Sequence, residues 1–247
     1  MNNTIDIKAS VKGYLEKNGF GALVPRAALF DMDGVLYDSM PNHARSWHLS
    51  MEAFGLSMSP DDAYKYEGMR GVETIKLIAK EQWKRDVGDD EAERMYAEKT
   101  RLFAVQPQAR VMPGVKDLQR DMKAMGITIV VVTGSGQPSL LDKLKSDFRG
   151  LVAPGMIVSA ADVTRGKPDP EPYIKGLAKA GVNPWEAVVV ENAPLGVRSA
   201  VNARIFTIAV NTGPLDNALL EEEGADIVLK TMEDVRTRVL PVLTART

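Results

Sequence analysis

From residue 115 onward, short apolar runs alternate with helical patterns, and this alternation restricts the possible folds more than any other feature of the chain. Each apolar run is short enough to be one buried strand. Strands that alternate with helices favour a doubly wound, Rossmann-like parallel sheet, the α/β class. The predicted strands are Ile127–Val132, Met156–Ser159, Ala187–Val190, Ile205–Val210 and Ile227–Leu229, and the predicted helices are Val115–Met125, Pro138–Ser146, Pro170–Ala180, Leu195–Val201, Asn217–Glu223 and Met232–Leu240.

One further apolar run, Ala27–Phe30, stands apart from the others and is followed by a long segment without any strand pattern. Helices are predicted in that segment at Asn42–Phe54, Pro60–Tyr66, Val72–Trp83 and Asp90–Phe103, and an amphipathic helical lead-in is predicted over residues 1–24. The simplest arrangement is an all-helical cap domain, residues 40–107, inserted into a core domain of residues 1–39 and 108–247. The hinges would then lie near Ser39–Met40 and Gln106–Arg110.

Composition excludes several classes of function. Apolar residues make up 45% of the chain and charged residues 26%, as in ordinary globular proteins. A net charge of −2 gives no electrostatic footprint for nucleic acid. Without cysteine there is no disulfide or thiolate chemistry, and no apolar stretch approaches the roughly 18 residues of a membrane-spanning helix. We therefore expect a cytoplasmic, monomeric protein that binds neither membranes nor nucleic acid.

The segment after the first apolar run carries the strongest chemical signal. Asp31 and Asp33 flank Met32 and precede Gly34, directly after the predicted strand. Side chains two residues apart on an extended chain point the same way, so both carboxylates can serve one site. Because two adjacent carboxylates repel each other, a cation or a shared proton is needed there.

Three further strands or loops end in polar residues. Thr133, Gly134 and Ser135 follow a strand and precede a helix, a place suited to anion binding. Lys167 is held in a Gly-Lys-Pro-Asp-Pro loop and could contact a phosphate as a point charge. The pair Glu191-Asn192 ends another apolar strand and offers the oxygen ligands that Mg²⁺ prefers.

These four motifs, in this order, resemble those of the haloacid dehalogenase-like hydrolases, and the whole chain resembles their β-phosphoglucomutase-like branch. The resemblance implies Asp31 as the nucleophile that forms an aspartyl-phosphate, with Asp33 as the general acid and base. It implies that Lys167, Thr133, Gly134 and Ser135 hold the transferring phosphoryl group. It also implies a Mg²⁺ site formed by Asp31, Asp33, Glu191 and Asn192, and leaves open whether Glu191 or Asn192 is the direct ligand.

The substrate would be read by the predicted cap. His43 and Trp47 match a His and a Trp of the mutases, although a histidine packed at the hinge would look the same. The mutases carry a basic residue near position 67 and an arginine near position 71, whereas this chain has Glu67, Arg70 and Gly71. An acidic cap residue is found in related inorganic pyrophosphatases, and an arginine at position 70 resembles phosphatases of the branch. On this basis His43, Glu67 and Arg70 are candidate substrate-binding residues.

Three other cationic or titratable residues of the predicted cap are Lys99, Arg101 and His48. Lys99 and Arg101 could meet a distal phosphate, but their helix is charged throughout, so surface positions are expected for both. His48 matches no residue of the mutases and is expected on the helix surface.

Three functions are compatible with these residues. The first is a Mg²⁺-dependent phosphohydrolase or phosphotransferase acting on a small phosphorylated metabolite or inorganic pyrophosphate. The alternative is a β-phosphoglucomutase that converts β-glucose 1-phosphate to glucose 6-phosphate. A non-catalytic phosphate-sensing module is disfavoured because the nucleophile, the acid/base residue and the lysine are all present.

Overall fold

The structure, a computed structural model, describes residues 6–245. Its strands are β1 (Ala27–Phe30), β2 (Thr128–Val132), β3 (Ile157–Val158), β4 (Ala187–Glu191), β5 (Phe206–Val210) and β6 (Ile227–Leu229). Its helices are α1 (Ile7–Asn18), α2 (Met40–Ala53), α3 (Pro60–Lys65), α4 (Gly71–Trp83), α5 (Asp89–Ala104), α6 (Val115–Ala124), α7 (Pro138–Asp147), α8 (Glu171–Ala180), α9 (Pro194–Asn202), α10 (Asn217–Glu222), α11 (Met232–Asp234) and α12 (Leu240–Leu243). A π-helical segment, Val235–Val239, joins α11 to α12.

The six strands form one parallel sheet in the order β3-β2-β1-β4-β5-β6. Phe30 at the end of β1 lies opposite Val131 of β2 and Val190 of β4. From β1 the chain runs outward through β2 and β3, then returns to β4 on the other side of β1. Ligands of such sheets bind beyond the carboxyl ends of the strands at this reversal of order, so the residues after β2, β1 and β4 form the candidate site.

Alternate residues of each strand pack on opposite faces of the sheet, as the period of two requires. Ala28 and Phe30 belong to an apolar cluster that includes residues of α1, α6 and α7. Ala27 and Leu29 belong to a second cluster with residues of α8 and α9. Because helices cover both faces, every residue of β1 is buried, and the strand is apolar along its whole length.

Helices α2 to α5 share an apolar cluster of their own, which includes Trp47, Met51, Ile75 and Met95. The two chain segments that connect these helices to the rest lie side by side. Asn42 Nδ2 donates to the Pro107 carbonyl at 2.8 Å, and the Asp38 N–H donates to the Arg110 carbonyl at 2.9 Å. The division into domains at residues 40 and 107 stays a prediction.

The predicted fold class, a doubly wound parallel α/β sheet, is confirmed. The predicted lead-in over residues 1–24 contains a shorter helix, α1, which ends at Gly19 in the left-handed region (φ 69°); residues 1–5 lie outside the described part. The predicted strand Met156–Ser159 is reduced to the two residues of edge strand β3. In residues 6–245, no helix is both long and apolar enough to cross a bilayer.

Candidate active site

A buried ion triplet lies at the carboxyl ends of the central strands. Lys167 Nζ donates to Asp31 Oδ1 at 2.5 Å, to Glu191 Oε1 at 2.6 Å and to the Val132 carbonyl at 3.2 Å. Burial would lower the pKa of Lys167, but the two carboxylates outweigh burial and hold the pKa above its ordinary value. The lysine is therefore a permanent cation between β1 and β4.

Asp31 is almost fully buried, and burial raises its pKa to about 7. Lys167 opposes this rise, while the carboxylates of Glu191 and Asp33 add to it. In the protein without a bound cation, the Asp31 carboxylate is thus held at a free-energy cost, and a second cation beside it would relieve that cost.

Both oxygens of Glu191 are already occupied by groups of the protein. Oε1 accepts from Lys167 and from the Tyr173 hydroxyl at 2.8 Å, and Oε2 accepts from the N–H groups of Asn192 at 2.9 Å and Ala193 at 3.2 Å. A Cβ on Gly196 would lie only 1.9 Å from the same carboxylate, so α9 begins in direct contact with it. Glu191 thus positions Lys167 and the first turn of the loop, and it has no oxygen to spare for a metal.

Asn192 differs from Glu191 in this respect. Among the described residues, Asn192 Oδ1 and Asp31 Oδ2 are buried oxygens without a hydrogen-bond partner. A Cβ on Gly34 would lie 2.1 Å from Asn192 Nδ2, so only glycine allows the asparagine to approach β1 this closely. Two orphaned oxygens, one anionic and one neutral, are the donors that a hard cation such as Mg²⁺ prefers.

Four residues were predicted as metal ligands, and the structure separates them. Asp31 and Asn192 present unpartnered buried oxygens, and Glu191 does not. Oδ1 of Asp33 is bonded to Ser39 and lies beside His43, so the main-chain carbonyl of Asp33 is its candidate ligand. In residues 6–245 no group of three or more His, Cys, Asp or Glu side chains could hold a metal. The fit to Mg²⁺ therefore depends on an amide oxygen and a carbonyl, together with one carboxylate.

The loop after β2 has the turn expected of an anion site. The Ser135 N–H donates to Thr133 Oγ1 at 3.0 Å, and the Gln137 N–H donates to Ser135 Oγ at 3.4 Å, just before α7 begins. A Cβ on Gly134 would lie 3.1 Å from the carbonyl of Gly68, so this glycine lets the α3–α4 loop come close. Thr133, Gly134 and Ser135 lie together beside Asp31, at the end of the neighbouring strand.

A second buried chain of polar groups runs from Asp33 into the α2–α5 helices. Asp33 Oδ1 accepts from Ser39 Oγ at 2.6 Å and is 3.2 Å from His43 Nε2. His43 Nδ1 lies 2.9 Å from Lys99 Nζ. Because a lysine ammonium only donates, Nδ1 must accept, and the proton of the neutral ring is then on Nε2, where it points to Asp33.

The pKa values of these hydrogen-bonded groups agree with that assignment. Burial would raise the pKa of Asp33, but His43, Ser39 and Lys99 outweigh burial and lower it. Burial and the charge of Lys99 lower the pKa of His43, and burial lowers the pKa of Lys99 to about 8. The resting site therefore holds an anionic Asp33 and a neutral His43.

The surface position expected for Lys99 is wrong. Lys99 is only 2% exposed, on the same face of α5 as Ala92 and Met95, and its ammonium lies 4.9 Å from the Phe103 ring centre and 5.3 Å from the Trp47 ring centre. Because charged residues occur on every side of α5, the sequence does not reveal which face of the helix is buried. Arg101 pairs with Glu98 at 2.7 Å and is exposed, and His48 is exposed, as expected for both.

The loop between α3 and α4 covers the residues of the candidate site. Glu67 is half-buried and, with Asp33, His43 and Lys99, lines a small cavity of about 40 Å³. Burial and the charges of Asp33 and Asp31 raise the pKa of Glu67 well above its ordinary value. Glu67, for which the sequence left open a surface position or a position at the site, thus lines the same cavity as Asp33.

Arg70, predicted with the substrate-binding residues, lies outside this cavity. Its guanidinium donates to the Thr164 carbonyl at 3.2 Å and lies 3.9 Å from Glu73, and its stem packs over Gly166. Sequence reasoning also missed Tyr96 and Gln137, which line the cavity. Tyr96 is one turn before Lys99 on α5, so the buried face of that helix is the signal that would have found Tyr96 and Lys99 together.

The sheet order, the helical segment that follows β1 and the buried carboxylate–lysine site define an α/β enzyme. The chain belongs to the haloacid dehalogenase-like hydrolase family, whose family model matches residues 28–210. It is an enzyme of the phosphatase and phosphotransferase class of that family, in its β-phosphoglucomutase-like branch.

Several relatives document the family. Hexitol phosphatase A of Escherichia coli K12 is 31% identical over 86% of this chain and 94% of its own length. The β-phosphoglucomutase of Bacillus subtilis 168 is 24% identical over 87% and 93% of the two chains. A solved structure from Bacteroides vulgatus, provisionally named a β-phosphoglucomutase, has a TM-score of 0.89 and 45% identity over 93% of both chains.

Proposed function

We propose that this protein is a Mg²⁺-dependent phosphohydrolase that acts through an aspartyl-phosphate on Asp31. The observation that carries the proposal is the pair of buried, unpartnered oxygens, Asp31 Oδ2 and Asn192 Oδ1, beside the Lys167 ammonium. When bound, Mg²⁺ would be held by these oxygens and the Asp33 carbonyl, and would neutralise charge on the phosphoryl group.

Each residue has a separate task in this proposal. Asp31 attacks phosphorus while the bond to the leaving group breaks, and Lys167 stabilises the phosphoryl oxygens. Thr133, Ser135 and the amides of their loop orient the phosphoryl group. An anionic substrate beside Asp33 raises its proton affinity, so Asp33 enters the first step protonated. It gives this proton to the leaving oxygen and later takes one from water.

The groups around Asp33 favour a small substrate. The cavity beside it holds about 40 Å³, and its ionisable groups beyond Asp33 include Lys99 and Glu67. Lys99 can pair with one distal phosphate. Because burial, Asp33 and Asp31 raise the pKa of Glu67, this side chain gives up its proton most readily when a cation accompanies the substrate. We infer that pyrophosphate, a compact and metal-coated anion, suits the site better than a hexose phosphate.

The β-phosphoglucomutase alternative retains one supporting contact, that of His43 with Asp33, since a His at this position is shared with the mutases. Against it, the position of the mutase arginine is Gly71, and a Cβ added there would lie 2.0 Å from the Tyr96 ring. A larger side chain at position 71 therefore has no room unless Tyr96 moves. The named relatives include a hexitol phosphatase and a phosphorylated carbohydrates phosphatase, so sugar phosphates belong in any substrate test.

The proposed activity is tested by measuring phosphate release from pyrophosphate, p-nitrophenyl phosphate and sugar phosphates with Mg²⁺. Release should stop in chelator and in Asp31→Asn, which should keep its circular dichroism spectrum. Turnover by a folded Asp31→Asn protein would contradict the nucleophile. A coupled glucose 6-phosphate assay with β-glucose 1-phosphate decides against the mutase if it stays negative.

The preference for pyrophosphate is tested at Glu67. Glu67→Ala should lower kcat/KM for pyrophosphate at least tenfold more than for p-nitrophenyl phosphate, since both substrates share the aspartyl-phosphate steps. Glu73→Ala, a matched change of an exposed glutamate on α4, should leave the ratio unchanged. Equal losses with both substrates in Glu67→Ala would remove Glu67 from substrate selection.

A cytoplasmic location and a monomeric state belong to the same proposal. The absence of cysteine from the chain fits a reducing compartment, and light scattering on the purified protein tests the monomeric state.

A further inference from the structure

A second and much larger cavity meets the site at Asp33. It holds about 560 Å³ and lies between the two connecting segments, represented by Ser39 and Gln106, and helix α7, represented by Leu140 and Lys143. We call it the linker groove. Asp33 and Gln137 belong to the walls of both this groove and the small catalytic cavity.

The volume of the linker groove is that of a small-molecule site. Ligand pockets commonly span about 300–1,000 Å³, and hydrolysis by water needs no such space. The chemistry of the wall restricts the ligand further. Beyond Asp33, its ionisable side chains with charge are Lys143 and Asp147, which pair with each other at 2.5 Å, and Asp147 also accepts from the Tyr37 hydroxyl at 2.9 Å.

Apart from Asp33, the wall therefore offers no uncompensated charge to an ionic ligand. Its remaining polar groups are amides and hydroxyls, such as those of Gln106 and Ser139, beside apolar surface from Phe103 and Leu140. A neutral molecule with several hydroxyl groups and a short carbon chain complements such a wall. A molecule with a second phosphate does not, because the one lysine is already paired.

Asp33, which lines both the linker groove and the small cavity, is the residue through which a ligand in the groove could react. Oδ1 of Asp33 carries the hydrogen bonds from Ser39 and His43, and among the described residues none donates to Oδ2. A hydroxyl group that enters from the groove can therefore use Oδ2 as its base.

We propose that the linker groove binds a neutral polyol, which accepts the phosphoryl group from Asp31 in competition with water. This inference rests on the proposed aspartyl-phosphate. The polyol oxygen forms a bond to phosphorus, the bond from phosphorus to Asp31 breaks, and its electron pair returns to the Asp31 carboxylate. The hydroxyl proton passes to Asp33, and a polyol monophosphate leaves. The phosphoryl donor is any ester that forms the intermediate, and no oxidant or reductant is needed.

The experiment uses p-nitrophenyl phosphate as donor, Mg²⁺, and glycerol or sorbitol as acceptor. Released p-nitrophenol counts every turnover, free phosphate counts hydrolysis, and the difference counts transfer, with ³¹P NMR to identify the polyol phosphate. We expect the ratio of transfer to hydrolysis to saturate with polyol concentration. Glycerate, which adds a carboxylate to the same carbon chain, should give at least fivefold less transfer.

Substitutions at two neighbouring residues distinguish a polyol bound in the linker groove from a polyol that attacks from bulk solvent. Ala104 lines the groove at the end of α5, whereas Val105, the next residue, does not line it and is 71% exposed. Ala104→Trp should lower the transfer ratio at least fivefold, and Val105→Trp should keep it within twofold of wild type. Ser139→Trp fills the opposite wall and serves as the second variant if Ala104→Trp does not fold.

Each other outcome overturns the inference. A transfer ratio that rises linearly with polyol and is the same in both tryptophan variants means attack from bulk solvent. Equal amounts of p-nitrophenol and phosphate at every polyol concentration mean no transfer, while the proposed hydrolase stands. No p-nitrophenol release together with no phosphate release from pyrophosphate removes the proposed function as well, whereas release from pyrophosphate alone makes pyrophosphate the donor with which ³¹P NMR must find the polyol phosphate for the inference to stand.

Discussion

Lys99 shows how a single buried residue can organise a site. An ammonium is costly to bury unless charges and hydrogen bonds compensate it. Here Asp33 and Glu67 supply opposite charge, His43 accepts a hydrogen bond, and three aromatic rings lie within 6 Å of the ammonium. Since the lysine selects the His43 tautomer, it orients the proton donor that faces Asp33.

Lys99→Met should therefore lower kcat/KM at least tenfold and broaden its pH profile on the alkaline side. Methionine keeps nearly the length of the side chain but removes the Lys99 ammonium, whose pKa is about 8. The same change at Arg101, which is exposed on the same helix, should leave both quantities unchanged. Steady-state kinetics between pH 6 and pH 9.5 makes the comparison. A loss of rate with an unaltered pH profile would make Lys99 merely a packing residue.

Asp226 gives a pH effect on stability away from the site. Burial raises its pKa to about 6 from an ordinary value of 3.8, while its carboxylate accepts from the Thr207 N–H at 2.8 Å. The folded protein keeps this proton to a higher pH than the unfolded chain does, so this carboxyl makes folding less favourable as the pH rises from about 4 to about 6.

Asp226→Asn removes this titration but keeps an oxygen to accept the Thr207 N–H. The free energy of unfolding of the variant, minus that of wild type, should rise by about 2 kcal/mol between pH 4 and pH 7. Urea unfolding at both pH values measures the difference, in which the other titrating groups cancel. A difference independent of pH would show that Asp226 keeps an ordinary pKa.

At the scale of the element, α8 connects the sheet to the ion triplet. The helix follows the Lys167 loop, carries Tyr173, and packs on β1 and β2. Gly176 makes this close packing possible, since a Cβ there would lie 2.7 Å from Leu29 Cδ2 and 3.1 Å from Val132 Cγ2.

Gly176→Ala should destabilise the protein by about 1–3 kcal/mol, because α8 must move away from two strands. Gly13, inside α1, is exposed and has nothing within 4 Å of its Cβ position, so Gly13→Ala should stabilise by about 0.5–1 kcal/mol through helix propensity. Thermal or urea unfolding measures both changes. The packing argument is wrong if the two variants shift stability in the same direction.

At the scale of the whole molecule, the α3–α4 loop joins the inserted helices to the core over the lysine. A Cβ on Gly68 would lie 2.9 Å from Lys167 Cδ, and Arg70 reaches across to the Thr164 carbonyl. These contacts cover the carboxylates of the candidate site, so a substrate can enter only when the loop opens, and the same contacts hold the loop over the substrate once it is bound.

Arg70→Ala should loosen the loop over the bound substrate, and so raise KM about twofold to fivefold with little change in kcat, because an exposed charged contact contributes about 0.5–1 kcal/mol. Arg165→Ala, in the same core loop but paired within it to Asp169 at 3.2 Å, should leave KM unchanged. Steady-state kinetics measures both variants. An increase of KM in Arg165→Ala alone would place the contact that matters within the core loop.

The sequence by itself determined the parallel sheet and the motif positions. Short apolar runs such as Val130–Val132 and Ala187–Val190, alternating with helical patterns, favour strands buried on both faces, and the polar residues that follow parallel strands then meet at one edge of the sheet. The order Asp31, Thr133, Lys167, Asn192 along the chain was therefore enough to predict which core residues gather.

Only the tertiary structure decided how each side chain is used. Whether Glu191 is free for a metal depends on Tyr173, Lys167 and two backbone amides that occupy it, and none of these partners is visible in a local pattern. Lys99 and Arg101 lie two residues apart with the same charge, and their opposite environments follow from which face of α5 packs on α2. Local sequence determines periodicity and turn chemistry, whereas burial, and with it every pKa and every free ligand oxygen, depends on contacts between residues far apart in the chain.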